Sequence, residues 1–107
     1  FERVAPAAQA QRVYDSLVER WPDNLLAGLG LGNTRFASGD PAGAAQAFER
    51  VALRHDSAAA WHNLAVVRQR LGQRAAAVAA ADRALARAQA AEPQWLDAAR
   101  ALRAGLS

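Results

Sequence analysis

The sequence contains no cysteine, lysine, methionine or isoleucine in its 107 residues. Without cysteine it forms no disulfide, no zinc–thiolate site and no catalytic thiol. Its longest uncharged apolar stretch, Leu25 to Leu31, is far shorter than the ~20 residues that a membrane-spanning helix requires. No signal-peptide pattern opens the chain.

Residues that favour β-strands are also scarce. The chain has seven aromatic residues and one threonine, and 30 of its hydrophobic residues are alanine. Alanine, leucine, arginine and glutamine all favour helix. The composition therefore predicts an all-α protein with a thin core, in which small side chains let the helices approach closely.

Helix-ending and helix-starting residues recur along the chain. Gly39 and Gly72 suit the left-handed position that follows a helix. Asp23, Asp40 and Ser57 are suited to accept hydrogen bonds from the first free amides of the next helix. These residues divide the chain into six predicted helices, at about residues 6–20, 24–38, 41–54, 58–71, 73–91 and 93–104.

An internal repeat runs through these helices, as in proteins built from stacked structural units. The pairs at an offset of 33 are Leu31 with Leu64, Gly39 with Gly72, and Ala44 with Ala77. The pairs at an offset of 34 are Ala10 with Ala44, Tyr14 with Phe48, and Trp61 with Trp95.

The repeated residues resemble the tetratricopeptide repeat, whose pattern is Trp-x2-Leu-Gly-x2-Tyr, then Ala-x3-Phe, then Pro. The matching segments are Ala10-x3-Tyr14, Leu31-Gly32 with Ala44-x3-Phe48, and Trp61-x2-Leu64-Ala65 with Ala77-x3-Ala81. The departures are Gly28 in place of Trp, Arg35 and Arg68 in place of Tyr, and Asp56 and Gln89 in place of Pro.

The resemblance implies an α-solenoid of six helices stacked as antiparallel pairs, forming one domain over residues 1–107. Residues 1–24 would be the second helix of a truncated repeat, 25–57 and 58–91 two complete repeats, and 92–107 a C-terminal capping helix. In that cap we expect Trp95 and Leu102 to face inward. We expect residues 1–4 to form the last turn of a preceding helix. Because the sequence lacks methionine, we also expect the chain to be part of a larger protein.

The resemblance also implies a function, which is to bind a peptide or helix segment of another protein in a concave groove. The alternative is a non-catalytic docking region of an enzyme, for instance one resembling a peptidase, whose catalytic domain precedes residue 1. The fragment itself is not predicted to be an enzyme, and its activity within a longer protein is left open. The arginine- and alanine-rich composition resembles that of bacterial proteins, and both the cell envelope and the cytoplasm stay open as the compartment.

The residues of the chain do not indicate a catalytic site or a cofactor site. His55 and His62 have no nucleophile or carboxylate at a spacing that would form a catalytic pair. The glycines of Leu26 to Gly32 lack the spacing and the preceding strand of a phosphate-binding loop, so they predict helix packing. The sequence therefore predicts no cofactor and no metal.

The resemblance implies that one face of the first helix of each repeat, and of the closing helix, lines the concave groove. Residues three or four positions apart share that face. The candidate residues are Leu29, Asn33, Phe36, His62, Val66, Gln69, Arg70, Arg100 and Arg103. Two interpretations of the arginines stay open. They form an anion-attracting wall for an acidic protein or peptide, or they are solvated or paired with Asp82, Glu92 or Asp97.

The net charge of +3 is modest, and no aromatic residue alternates with Arg68, Arg70 and Arg74, which argues against nucleic acid as the partner.

The N-terminal end of the array is a candidate site of self-association. If helix 6–20 is an open edge, apolar residues such as Val13 or Leu17 would be exposed there and would permit self-association.

Overall fold

The computed structural model describes residues 6–106, with side chains from Gln9 onward, and this part of the chain is built of helices. They are α1 (Pro6–Arg20), α2 (Leu25–Ala37), α3 (Pro41–His55), α4 (Ala58–Arg70), α5 (Arg74–Ala90) and α6 (Leu96–Gly105). A short 3₁₀ turn, Pro93–Trp95, precedes α6. The all-α prediction with six helices is confirmed. The helical turn expected at residues 1–4 lies outside the described residues.

The helix boundaries confirm part of the predicted capping. Gly39 and Gly72 adopt positive φ angles of 86° and 76°, and the Asp40 side chain accepts a hydrogen bond from the Gly43 amide at 2.9 Å. Two predicted caps are wrong. Asn24 rather than Asp23 caps α2, and Ser57 makes no side-chain cap for α4.

The first turn of α4 is capped from elsewhere in the chain. The Glu92 carboxylate accepts a hydrogen bond from the Ala58 amide at 2.9 Å, although the two residues are 34 positions apart. Glu92 lies in the turn that follows α5, so this cap joins the end of one repeat to its beginning. The residues that neighbour the start of α4 in the sequence do not reveal this cap, because Glu92 is 34 positions away.

The helices stack in chain order. Each helix packs mainly against the helices before and after it, and α4 also contacts α6. The array is elongated, with extents of 48 × 27 × 20 Å. This nearest-neighbour packing is the arrangement of a helical solenoid.

The repeat-signature residues form the core. Ala44, Leu64, Ala65 and Ala77 are fully buried, and Phe48 is 1% exposed. Most other core residues are alanines on α3, α4 and α5. The helices are therefore close together, and the few large side chains fill the remaining spaces.

The glycines of α2 are points of close helix approach. The side chains of Val51 and Phe48 on α3 lie against Gly28 and Gly32, while Tyr14 on α1 lies against Gly30. A Cβ atom at any of the three would approach the facing side chain to 2.2–2.3 Å. The interpretation of this segment as helix packing is thus supported by contacts on both sides of α2.

Trp95 and Leu102, which were expected to face inward in the closing segment, both pack against the core and are partly buried there. Trp95 lies in the 3₁₀ turn, is half-buried, and contacts the His62 ring with 5.3 Å between ring centroids. Leu102 is also half-buried at the edge of the core, whereas Ala99 and Leu106 are buried. Trp95 is therefore less deeply buried than Trp61, which is only 7% exposed.

Candidate protein-binding groove

Seven of the candidate residues lie along one face of α2 and α4. Three adjoining cavities on this face are lined mainly by residues of α1, α2 and α4, and we call their combined surface the inner groove. Its members from the sequence prediction are Leu29, Asn33, Phe36, His62, Val66, Gln69 and Arg70.

The cavities share lining residues and so form a continuous surface. Asn33 borders both the cavity between α1 and α2 and the next one, which lies between α2 and α4. Phe36 and Val66 border that second cavity and the third, which ends at Arg70. The volumes are about 690, 290 and 370 Å³ in this order.

The first cavity forms an apolar end that the sequence prediction defined incompletely. Tyr14, Leu17 and Trp21 of α1 and the turn that follows it line this cavity with Leu26 and Leu29 of α2. Leu26 is 76% exposed and Trp21 is 52% exposed. The spacing of residues 14, 17 and 21 fits one helix face, and this signal indicates the missed contribution of α1.

Amide side chains characterise the middle of the groove. Asn33 and Asn63 line the same cavity, together with His62. The His62 ring contacts the Trp95 ring, and His62 Nδ1 lies 3.5 Å from Asn63 Oδ1. An amide offers both donors and acceptors, so this section suits contact with a polypeptide backbone.

The basic end of the groove consists of Arg70. Its side chain is exposed and forms no ion pair with the described part of the chain. Arg100 is exposed on α6 but lines none of the three cavities. The structure therefore does not join Arg100 to Arg70 in one cavity.

The positive charge of Arg103 is neutralised by a neighbouring carboxylate. Its Nε atom donates to Asp82 Oδ1 at 2.7 Å. The interpretation of an unneutralised wall of three arginines is wrong for this residue, because the Asp82 carboxylate of α5 lies within hydrogen-bonding distance. The interpretation that paired these arginines with neighbouring acids is correct here.

Six arginines outside the groove have a carboxylate oxygen at 2.7–3.9 Å, on another helix or on a turn between helices. Asp56 and Glu92 flank Arg87, with its Nε atom 3.6 and 3.7 Å from their carboxylate oxygens. The other paired arginines are Arg35, Arg50, Arg54, Arg68 and Arg103.

None of the helices among residues 6–106 is both long and apolar enough to cross a bilayer. In the same range, histidines and carboxylates form no group of three that is suited to hold a metal ion.

Comparisons with known proteins agree with this architecture. The chain is similar over almost its whole length to the crystal structure of MamA, with a TM-score of 0.69 and 18% sequence identity, covering 99% of this chain and 77% of that one. No curated protein sequence matches the chain. A tetratricopeptide repeat family model matches residues 7–65, which is more than half of the chain. Such repeats bind proteins or peptides and are typically not catalytic, and the chain belongs to the tetratricopeptide repeat family.

Proposed function

We propose that the inner groove binds a peptide segment of a partner protein, with an apolar side chain in the cavity between α1 and α2 and an acidic side chain beside Arg70. The observation that carries this proposal is the continuity of the three cavities through Asn33, Phe36 and Val66.

The apolar end supports the proposal by its size and exposure. A volume of about 690 Å³ lies within the range of specific ligand sites, about 300–1,000 Å³. Leu26 and Trp21 present large apolar surfaces there, and covering such a side chain contributes about 1.5–3 kcal/mol. This end therefore suits a large apolar anchor residue.

The charge at the other end supports an acidic contact. Arg70 is exposed and has no carboxylate partner among the described residues. A guanidinium group binds a carboxylate through two parallel hydrogen bonds. A partner carboxylate at this place would gain a charge-assisted contact without displacing an existing ion pair.

The experiment selects displayed random peptides on the purified protein and measures their affinity for four variants. Leu26→Ser and Arg70→Gln alter the two ends of the groove. Leu53→Ser is the matched apolar control, because Leu53 is 68% exposed on α3, and Arg12→Gln is the matched charge control on α1.

We expect selected peptides to share an apolar residue and an acidic residue. Leu26→Ser should weaken binding about 10-fold or more, as expected for loss of a buried leucine contact. Arg70→Gln should weaken binding and reduce its dependence on salt. Equal losses in the control variants, or selection of no common sequence, would contradict the proposal.

The same variants test the second role, a non-catalytic docking region of an enzyme. This role would use an apolar patch outside the groove, and Val13 and Leu53 are such residues, 57% and 68% exposed. Docking on an enzyme domain of the same polypeptide would be weakened by Leu53→Ser and not by Leu26→Ser, which is the opposite of the result expected for peptide binding.

A further inference from the structure

Ion pairs recur at equivalent positions along the array. In each case an arginine on a first helix binds a carboxylate on the second helix of the preceding repeat. The three pairs are Arg35 with Asp15 at 3.3 Å, Arg68 with Glu49 at 2.8 Å, and Arg103 with Asp82 at 2.7 Å.

Two of these arginines also reach the following helix. Arg35 donates from Nη1 to the Gly43 carbonyl oxygen at 3.3 Å, and Arg68 donates from Nη1 to the Ala76 carbonyl oxygen at 3.4 Å. Arg35 thus joins α1, α2 and α3, and Arg68 joins α3, α4 and α5. Lysine, with a single ammonium group, lacks the forked donors that these two contacts use.

The spacing of the pairs follows the repeat. Arg35 and Arg68 stand at an offset of 33, and so do Gly43 and Ala76. The offset from Arg68 to Arg103 is 35, consistent with α5 having 17 residues where α3 has 15. Arg35 and Arg68 occupy the position at which the tetratricopeptide pattern has tyrosine. The arginines therefore replace an aromatic packing residue with an ionic link.

The pairs are accessible to salt. The arginine side chains are 25%, 18% and 34% exposed, and their carboxylate partners are 46%, 49% and 58% exposed. Dissolved ions screen the Coulomb attraction at such partly exposed sites, although less than between fully exposed charges. The aliphatic stems remain packed when the charges are screened.

We propose that these three pairs form an ionic brace that sets the spacing of successive helices, so that ionic strength alters the curvature of the solenoid. Arg35 and Arg68 directly precede the groove residues Phe36 and Gln69. A change in helix spacing would therefore change the width of the inner groove. The brace stands independently of the proposed function, because it concerns helix spacing and not what the groove binds.

The test measures the distance between spin labels on neighbouring second helices. The chain has no cysteine, so Gln46→Cys on α3 and Ala79→Cys on α5 give two label sites, both exposed and at equivalent positions of the two repeats. Pulsed dipolar spectroscopy records the distance distribution at about 0.01 M and about 1 M salt, over which the Debye length falls from ~30 Å to ~3 Å.

Three variants are compared in this labelled protein. Arg68→Met removes both contacts of the guanidinium group and keeps an unbranched stem, while Glu49→Gln removes the ionic partner alone. Arg74→Met is the control, because Arg74 is exposed at the same corner and has no ion pair with the described residues. Circular dichroism confirms that each variant keeps its helices.

We expect the intact brace to give a narrow distance distribution at low salt, and a broader distribution with a shifted mean distance at high salt. Arg68→Met and Glu49→Gln should be broad at both, and Arg68→Met should lower Tm by about 4–8 °C. Arg74→Met should behave like the parent protein. A distribution that does not respond to salt, or equal effects of Arg68→Met and Arg74→Met, would overturn the proposal.

Discussion

The ring of Phe48 lies against the backbone of Gly32 so closely that a Cβ atom at residue 32 would be 2.3 Å from Phe48 Cε1. Both residues are buried where α2 meets α3. The contact joins the two halves of one repeat, because Phe48 occupies the space that the missing side chain leaves.

Replacing Gly32 with alanine should therefore destabilise the protein. The added methyl group displaces the Phe48 ring, and overpacking of this kind costs about 1–3 kcal/mol, more than the ~1 kcal/mol that alanine gains over glycine in a helix. Urea denaturation of Gly32→Ala measures the loss. The control is Gly105→Ala, since a Cβ atom at Gly105 meets nothing within 4 Å. Gly105→Ala should be neutral or stabilising, and a loss equal to that of Gly32→Ala would contradict the role of the Phe48 contact.

Two of the three predicted helix caps, Asp40 and Ser57, give a second test. Asp40→Ala should cost about 1 kcal/mol, because its carboxylate accepts the Gly43 amide hydrogen bond. Ser57→Ala should cost less, because Ser57 makes no such bond and the Ala58 amide binds Glu92 instead. Thermal unfolding of the two variants measures the difference. A larger loss for Ser57→Ala would mean that Glu92 does not cap α4 in solution.

The two tryptophans at related repeat positions should differ in their contribution to stability. Trp61 is buried and its Nε1 donates to Asp56 Oδ1 at 2.8 Å, so Trp61→Ala should cost about 3–5 kcal/mol. Trp95 is half-buried against His62, and Trp95→Ala should cost about 1–2 kcal/mol. Equal losses in urea denaturation would place Trp95 in the core, as the repeat alignment alone implied.

The fold can be predicted from the sequence because the residues of the repeat signature are the residues that make the contacts between helices. Ala44, Ala65 and Ala77 are small where backbones approach, and Phe48 and Leu64 are large where space remains. Gly39 and Gly72 mark the turns because a positive φ angle is unfavourable for other residues. These requirements are local, and a pattern of single residues is enough to reveal them.

The ionic contacts are less accessible to prediction because each depends on residues far apart in the sequence. Glu49 and Asp82 are the single acids of α3 and α5, and Asp15 shares α1 with Glu19, so no helix taken alone points to an ion pair. The arginines that bind them are 19 to 21 residues away. The spacing of 19 to 21 residues between each arginine and its carboxylate can be read from the sequence. That the two side chains point toward each other is seen once the helices are stacked.

The candidate groove was predicted in outline. Leu29, Asn33, Phe36, Val66 and Gln69 share one face because residues three and four apart in a helix do so. The contributions of Tyr14, Leu17 and Trp21 were missed, because they come from the second helix of the preceding repeat. The sequence also left open whether Arg103 is paired, because a helix-face argument does not distinguish the groove from the adjacent edge.

The central claim, that the inner groove binds a peptide, is tested most directly by amide chemical-shift mapping. The ¹⁵N-labelled protein is titrated with a peptide selected by display, and the shifts of all amides are recorded. We expect the largest changes at Leu29, Asn33, Phe36, Val66 and Gln69. Changes concentrated instead on the outer faces of α3 and α5, at residues such as Gln46, Leu53 and Ala79, would contradict the claim.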